Sequence, residues 1–222
     1  MEGSAMSQAT VIDMPGRSPG VGRGAIATLG VASLIALLFV AIVALPYFGV
    51  NEAQFGTYWP RRGWLLLHIA TGMIALFAGP IQIWLGLSDR NVRLHRRLGV
   101  IYMSAVVISS AAAYYLAFHT DGGWVFGSGL AGLATAWLTT TGLAFLSIRR
   151  HLYEQHKEWM LRSYVVTFAF VWFRVLSTVL EAWNVGTVQE RIGLTSWFCW
   201  AVPLFVAEAI IQGRKILAVK AG

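Results

Sequence analysis

The chain has 222 residues, of which 57% are hydrophobic and 12% charged, with a mean hydropathy of +0.63. Soluble domains carry about 25% charged residues, so this composition does not supply an ordinary water-facing surface. The net charge of +7 sits in short segments between apolar runs, a distribution that excludes a nucleic-acid-binding face and points to membrane topology.

Residues 1–25 mix Gly, Ser, Pro and scattered charges with no periodic apolar face, and read as a flexible cytoplasmic tail. Six apolar runs follow, at residues 26–48, 64–87, 98–118, 127–148, 160–183 and 194–212. Each is close to the roughly 20 helical residues that cross about 30 Å of hydrocarbon. The first is too long for a signal-peptide core and no small-x-small cleavage site follows it, so it is read as a retained span. His119-Thr120-Asp121-Gly122-Gly123 is a turn signal separating the third run from the fourth. The fifth is the least regular, interrupted by Arg162, Arg174 and Glu181, and residues 213–222 form a basic tail. Apolar character is continuous rather than alternating, which selects helices over barrel strands. The predicted fold is all-α, a polytopic membrane protein with a six-helix transmembrane bundle over residues 26–212.

Topology follows from the cations. Arg17 and Arg23, then Arg90, Arg93, Arg96 and Arg97, then Arg149, Arg150, Lys157 and Arg162, then Arg214, Lys215 and Lys220 fall on one side. Arg61, Arg62 and Arg191 fall on the other. In a bacterial inner membrane this bias places both termini in the cytoplasm. Tyr58, Trp59, Trp64, Trp124, Trp159, Trp183 and Trp197 lie near predicted boundaries, where an amphipathic ring meets both phases. Cys199, the single cysteine, is inside an apolar run and is expected to be an inert buried thiol. Gly72, Gly79 and Gly86 recur every seven residues, and Gly129, Gly132 and Gly142 mark the fourth run. Such faces let helices approach closely, within the monomer or across a homo- or hetero-oligomer, or leave a cofactor-sized gap. Pro46, Pro80 and Pro203 are each expected to kink or end a helix. His95-Arg96-Arg97 with Tyr102, and His156-Lys157-Glu158 with Tyr164, also raise a parallel repeat of spans two–three and four–five.

Ionisable residues inside spans are the functional lead, because charge in hydrocarbon must face protein, water or a ligand. At 1.5 Å per residue His68 lies about 6 Å and Arg174 about 9 Å below the outer boundary. Glu181 and His119 are nearer that surface, so His68, His119, Arg174 and Glu181 form a candidate outer cluster, either a ligand pocket or a structural Arg174–Glu181 pair. Gln82 is polar within the second span and a further pocket candidate. At the inner face the candidates are His95, His156, Arg162 and Glu208, among cations that set topology and meet lipid phosphates.

A b-type haem needs two imidazoles at matched depth on facing helices. His68 with His119 is the outer pairing and His95 with His151 or His156 the inner, and the four-histidine, two-haem pattern is not met. There is no HExxH and no carboxylate cluster, so no metal site is expected. Quinone or lipid binding suits the outer cluster without a fixed ligand geometry. Walker, GxSxG and Rossmann fingerprints are missing.

Gly79-Pro80-Ile81-Gln82, His95-Arg96-Arg97-Leu98-Gly99-Val100-Ile101-Tyr102 and His156-Lys157-Glu158-Trp159-Met160-Leu161-Arg162-Ser163-Tyr164, with His68 and Arg174, resemble a bacterial multipass family catalogued as domain of unknown function 2306. The resemblance covers about residues 60 to 183. It implies a multipass membrane fold and a working constellation of His68, Gln82, His95, His156, Arg162 and Arg174, without assigning a reaction. Three readings stand: a ligand protein built on His68 and Arg174 with quinone or haem for redox work, a proton-coupled transporter through Glu181, Arg174 and Glu208, and an assembly or accessory subunit. Membrane lipids are the expected partners in all three.

Overall fold

A computed structural model describes residues 22–88 and 91–219. Among them every regular element is helical, and six stretches are long and apolar enough to cross a membrane: Ile26–Gly49, Glu52–Ser88, Val92–Phe118, Gly123–Arg149, Tyr153–Ala182 and Val188–Ala218. The protein is an all-α, six-span transmembrane bundle.

Helix α1 (Arg23–Phe39) continues through a wider turn at Val40–Ala44 and a tighter one at Leu45–Gly49. Pro46 has no N–H for the Ile42 carbonyl, which accounts for the irregular end. Ala36, Val40 and Ala44 pack on Leu76, with Ile69, Met73 and Phe77 alongside. The rest of α1 faces outward, with Val31, Leu34 and Ile42 exposed, as suits hydrocarbon rather than water. A short helix α2 (Glu52–Phe55) follows, capped by the Asn51 side chain, which accepts from Ala53 N at 2.9 Å. Phe55 is buried edge-on between Tyr47 and Trp59.

Helices α3 (Arg62–Ser88), α4 (Val92–Phe118) and α5 (Gly123–Arg149) are the long central spans. Asn91 starts α4 from a left-handed conformation, φ 50°, and its side chain accepts from Leu94 N at 3.1 Å; asparagine tolerates that region better than most residues. At the opposite end Arg61 bridges to Asp121 at 3.0 Å, tying the start of α3 to the α4–α5 turn. The fifth span is two helices, α6 (Tyr153–Thr167) and α7 (Ala169–Ala182), separated at Phe168. Helix α8 (Val188–Val219) closes the bundle and continues as helix through residues 213–219 of the expected tail.

Helix α5 packs against α4, α6 and α8, and α3 lies chiefly on α4. The core is Tyr102, Val106, Leu133, Trp137, Tyr164, Val166 and Cys199. Six crossings bring Gly22 and Val219 to one end, the basic end, with Arg93, Arg96, Arg97, Arg149 and Arg150. Arg17, Arg90 and Lys220, also assigned to that end, and the greater part of the N-terminal tail lie outside the described residues. Several of the glycines face neighbouring helices of the same chain, whereas Gly142 faces open space. A Cβ at Gly72 would touch Ser109 Oγ at 3.7 Å, one at Gly86 would meet His95 Cε1 at 3.4 Å, and one at Gly132 would meet Trp200 at 3.1 Å.

Candidate functional site

The outer cluster does not assemble as the sequence suggested. His68 is buried, and its Nδ1–H donates to the Ser109 carbonyl at 3.0 Å, while the Ser109 hydroxyl donates to the His68 carbonyl at 3.1 Å. The ring stands edge-on to Phe170, centroids 5.3 Å apart. His119 instead is exposed at the end of α4, its Nδ1 on the Tyr115 carbonyl at 2.8 Å and its ring stacked on Tyr115 at 4.2 Å. Arg174 and Glu181 are both exposed on α7 and form no ion pair or hydrogen bond among the described residues. The expected enclosure of Arg174 and its pairing with Glu181 are therefore corrected. Helix α7 packs on α8 and makes few other contacts, so one turn beyond Phe170 no helix covers Arg174. Of the residues considered for a proton path, Glu181 and Arg174 are exposed on α7, while Glu208 on α8 is half-buried and paired with Arg162.

The residues converge in the basic half, and their first layer is ionic. Buried Arg162 donates from Nε to Glu208 Oε2 at 2.6 Å and places Nη2 2.5 Å from the same oxygen. Glu158 Oε2 is 3.6 Å from Arg162 Nη1, and Lys215 reaches Glu158 at 2.8 Å. The guanidinium lies 4.6 Å over the Trp159 ring. The helix of the fifth span thus starts at Tyr153, ahead of the apolar run: its polar first turns hold α8 through ion pairs, which hydropathy does not score.

A second layer joins Gln82 to His95, and His156 bonds separately to α5. Gln82, 3% exposed, donates from Nε2 to the His95 carbonyl at 2.7 Å, across α3 and α4. Gly99 leaves the room, since a Cβ there would lie 3.2 Å from Gln82 Nε2. Gln82 Oε1 and His95 Nδ1 are both buried without a partner. His156 donates from Nδ1 to the Ala144 carbonyl at 2.9 Å. His151 is exposed in the α5–α6 turn beside Tyr153, which leaves His156 as the less exposed of the two imidazoles considered with His95.

A third layer is made of hydroxyls. Thr167 Oγ1 donates to the Ser163 carbonyl at 2.9 Å and accepts from Trp137 Nε1 at 3.0 Å. With its single proton so placed, Thr167 also accepts from Tyr102 Oη at 2.8 Å. Tyr102 then accepts from Ser163 Oγ at 2.7 Å, and Ser163 from Thr141 Oγ1 at 2.7 Å. Beneath this layer the Tyr164 ring lies directly on Gly79, where a Cβ would overlap it. Its hydroxyl donates to the Leu76 carbonyl at 3.2 Å, the acceptor that Pro80 leaves without its helical N–H.

Gly79 thus meets Tyr164, Gln82 meets His95 and Gly99, and Tyr102 meets Ser163 across three spans, while His156 bonds to α5 and Arg162 to α8. Sequence reasoning missed Ser109, Thr141, Trp137, Thr167 and Lys215 as partners. Tyr102, Ser163 and Tyr164 stood inside the quoted motifs, whereas no sequence signal marked Thr141 or Trp137.

These features define a polytopic helical membrane protein with a buried polar site in one half of its bundle. The family model described as Predicted membrane protein (DUF2306) matches residues 65–211, and the chain belongs to that family. No curated protein and no solved structure matches it.

Proposed function

We propose that the protein binds a small neutral lipid-soluble ligand of the quinone class in the basic half of the bundle, for redox work. The carrying observation is the pair of buried, unpartnered atoms Gln82 Oε1 and His95 Nδ1. An unmade buried hydrogen bond costs about 1–3 kcal/mol, so two on adjacent helices favour an occupant. A quinol hydroxyl donates to the first, and quinone or quinol oxygens suit an imidazole nitrogen in either tautomer. By the same reading His95 and His156 are the imidazoles nearest to serving a haem. The distribution of Arg and Lys supports an inner-membrane setting with both termini cytoplasmic, which reporter fusions at each terminus check.

The test is extraction from native membranes in mild detergent, with solvent extraction for quinone and a visible spectrum for haem. Quinone is expected above the level in the co-purifying lipid, with Gln82→Leu reducing it by about tenfold, the worth of one to two hydrogen bonds. Quinone at the lipid background in the wild-type protein refutes the reading, and a Soret band lost in His95→Leu replaces quinone with haem. An accessory-subunit reading is favoured by one observation, the exposed Arg174 within a span, since intramembrane charge calls for a partner surface. Crosslinking from position 174 in native membranes that captures lipid alone removes it.

A further inference from the structure

A groove of about 480 Å³ opens between α4 and α5 toward the bilayer, within the range of about 300–1,000 Å³ typical of small-ligand sites. Met103, Val107 and Ile108 form one wall, Leu138, Gly142 and Phe145 the other, and Ser104 and Thr141 bring the two hydroxyls that line it. Gly142 borders its open space: a Cβ there would meet nothing within 4 Å. Thr141 belongs both to this groove and to the hydroxyl layer. Ser110 is fully buried with an unpartnered hydroxyl, and it continues the stripe of Met103, Val106 and Val107 at helical spacing.

We infer that this groove is a bilayer-side subsite for the reduced, hydroxyl-bearing form of the ligand, its hydrocarbon tail between α4 and α5 and its hydroxyl on Thr141. The identity of the ligand rests on the quinone reading; the location does not. Thr141 gives its proton to Ser163, so its oxygen remains an acceptor and selects a hydroxyl over a carbonyl. Depth selects against a phospholipid ester. Thr141 is about 10 Å inside the basic-side boundary at 1.5 Å per residue, whereas ester carbonyls sit outside the hydrocarbon core. From Thr141 the hydroxyl layer leads through Ser163 to α6, which also carries His156 and Arg162. The groove is thereby joined by hydrogen bonds to the hydroxyl layer of Ser163, Tyr102 and Thr167.

The experiment uses the full chain in proteoliposomes and a quinone analogue with a diazirine in its isoprenoid tail, reduced or oxidised before photolysis. The reduced probe is expected to label residues 103–108 and 138–145 above the lipid-facing α1 positions Val31, Leu34 and Ile42. Gly142→Phe should bring this labelling down to the α1 level. Thr141→Val keeps the shape of threonine and should remove the preference for the reduced probe, about fivefold for one hydrogen bond. Equal labelling of the groove and α1 overturns the inference, as does unchanged labelling in a folded Gly142→Phe. If that variant does not fold, Thr141→Val decides, and an unaltered preference for the reduced probe overturns the proposal. Label confined to residues near Gln82 and His95 sinks the groove and leaves the functional reading intact, whereas no labelling above α1 anywhere sinks both.

Discussion

Replacing Gly79 with alanine separates packing from propensity in this bundle. A Cβ at Gly79 would overlap the Tyr164 ring, so the ring must move and its hydroxyl must leave the Leu76 carbonyl. Overpacking costs about 1–3 kcal/mol, and a carbonyl freed by Pro80 and left unpaired costs about 1–3 kcal/mol more. Alanine returns about 1 kcal/mol of helix propensity. The net expectation is a loss of about 1–5 kcal/mol. Gly72→Ala is the control, since its Cβ would make an ordinary 3.7 Å contact with Ser109 Oγ; it should be neutral or gain up to about 1 kcal/mol. Tyr164→Phe keeps the ring but leaves the Leu76 carbonyl unpaired, and should cost about 1–3 kcal/mol. Cys199, the single cysteine and wholly buried, supplies the assay, because a thiol-reactive fluorophore in mild detergent reports unfolding directly. At about 2–4 °C per kcal/mol, Gly79→Ala should melt well below Gly72→Ala. Equal midpoints for the two alanine variants would refute the reasoning.

Three further outcomes follow from the same geometry. Arg162→Leu leaves Glu208 without its cation; a fully buried pair broken this way costs about 3–5 kcal/mol, and because the Glu208 side chain is 42% exposed we expect about 1–3 kcal/mol. Arg162→Leu/Glu208→Leu should recover much of that, and a double variant less stable than the single one contradicts it. Arg174→Leu should insert more readily, by about 3 kcal/mol on translocon scales, and leave melting and quinone content unchanged; loss of quinone would restore Arg174 to the site. Tyr102→Phe removes the donor to Thr167 and the acceptor from Ser163. It should lower stability by about 1–2 kcal/mol, and a wild-type midpoint in the thiol assay counts against an ordered hydroxyl layer.

The candidate site was legible in part, and the division is physical. Gln82, His95, His156 and Arg162 stood out because polar groups inside apolar runs are conspicuous, and the structure gathers them in the basic half. His68 was equally conspicuous and is indeed buried, but it is held by Ser109 rather than by Arg174. Depth along a span could be counted from the sequence, whereas rotation about its axis and the presence of a neighbour could not. Arg174 shows the difference: its depth was set by its place in the span, and its exposure by the few contacts α7 makes apart from α8.

Composition and run length alone determined the six spans and the all-α class, because hydrocarbon demands that every backbone polar group be satisfied within its own helix. Cation placement alone separated the basic end from the other. Only the tertiary structure decided that Gly79 and Pro80 receive Tyr164, that Thr141 connects the bilayer-facing groove to Tyr102 through Ser163, and that α6 clamps α8 by Arg162 and Glu208. Each joins residues far apart in the chain and depends on which helix faces which. Apolar spans share a hydrophobicity that fixes insertion and says nothing of neighbours, so their arrangement is set by close packing and a few interhelical hydrogen bonds.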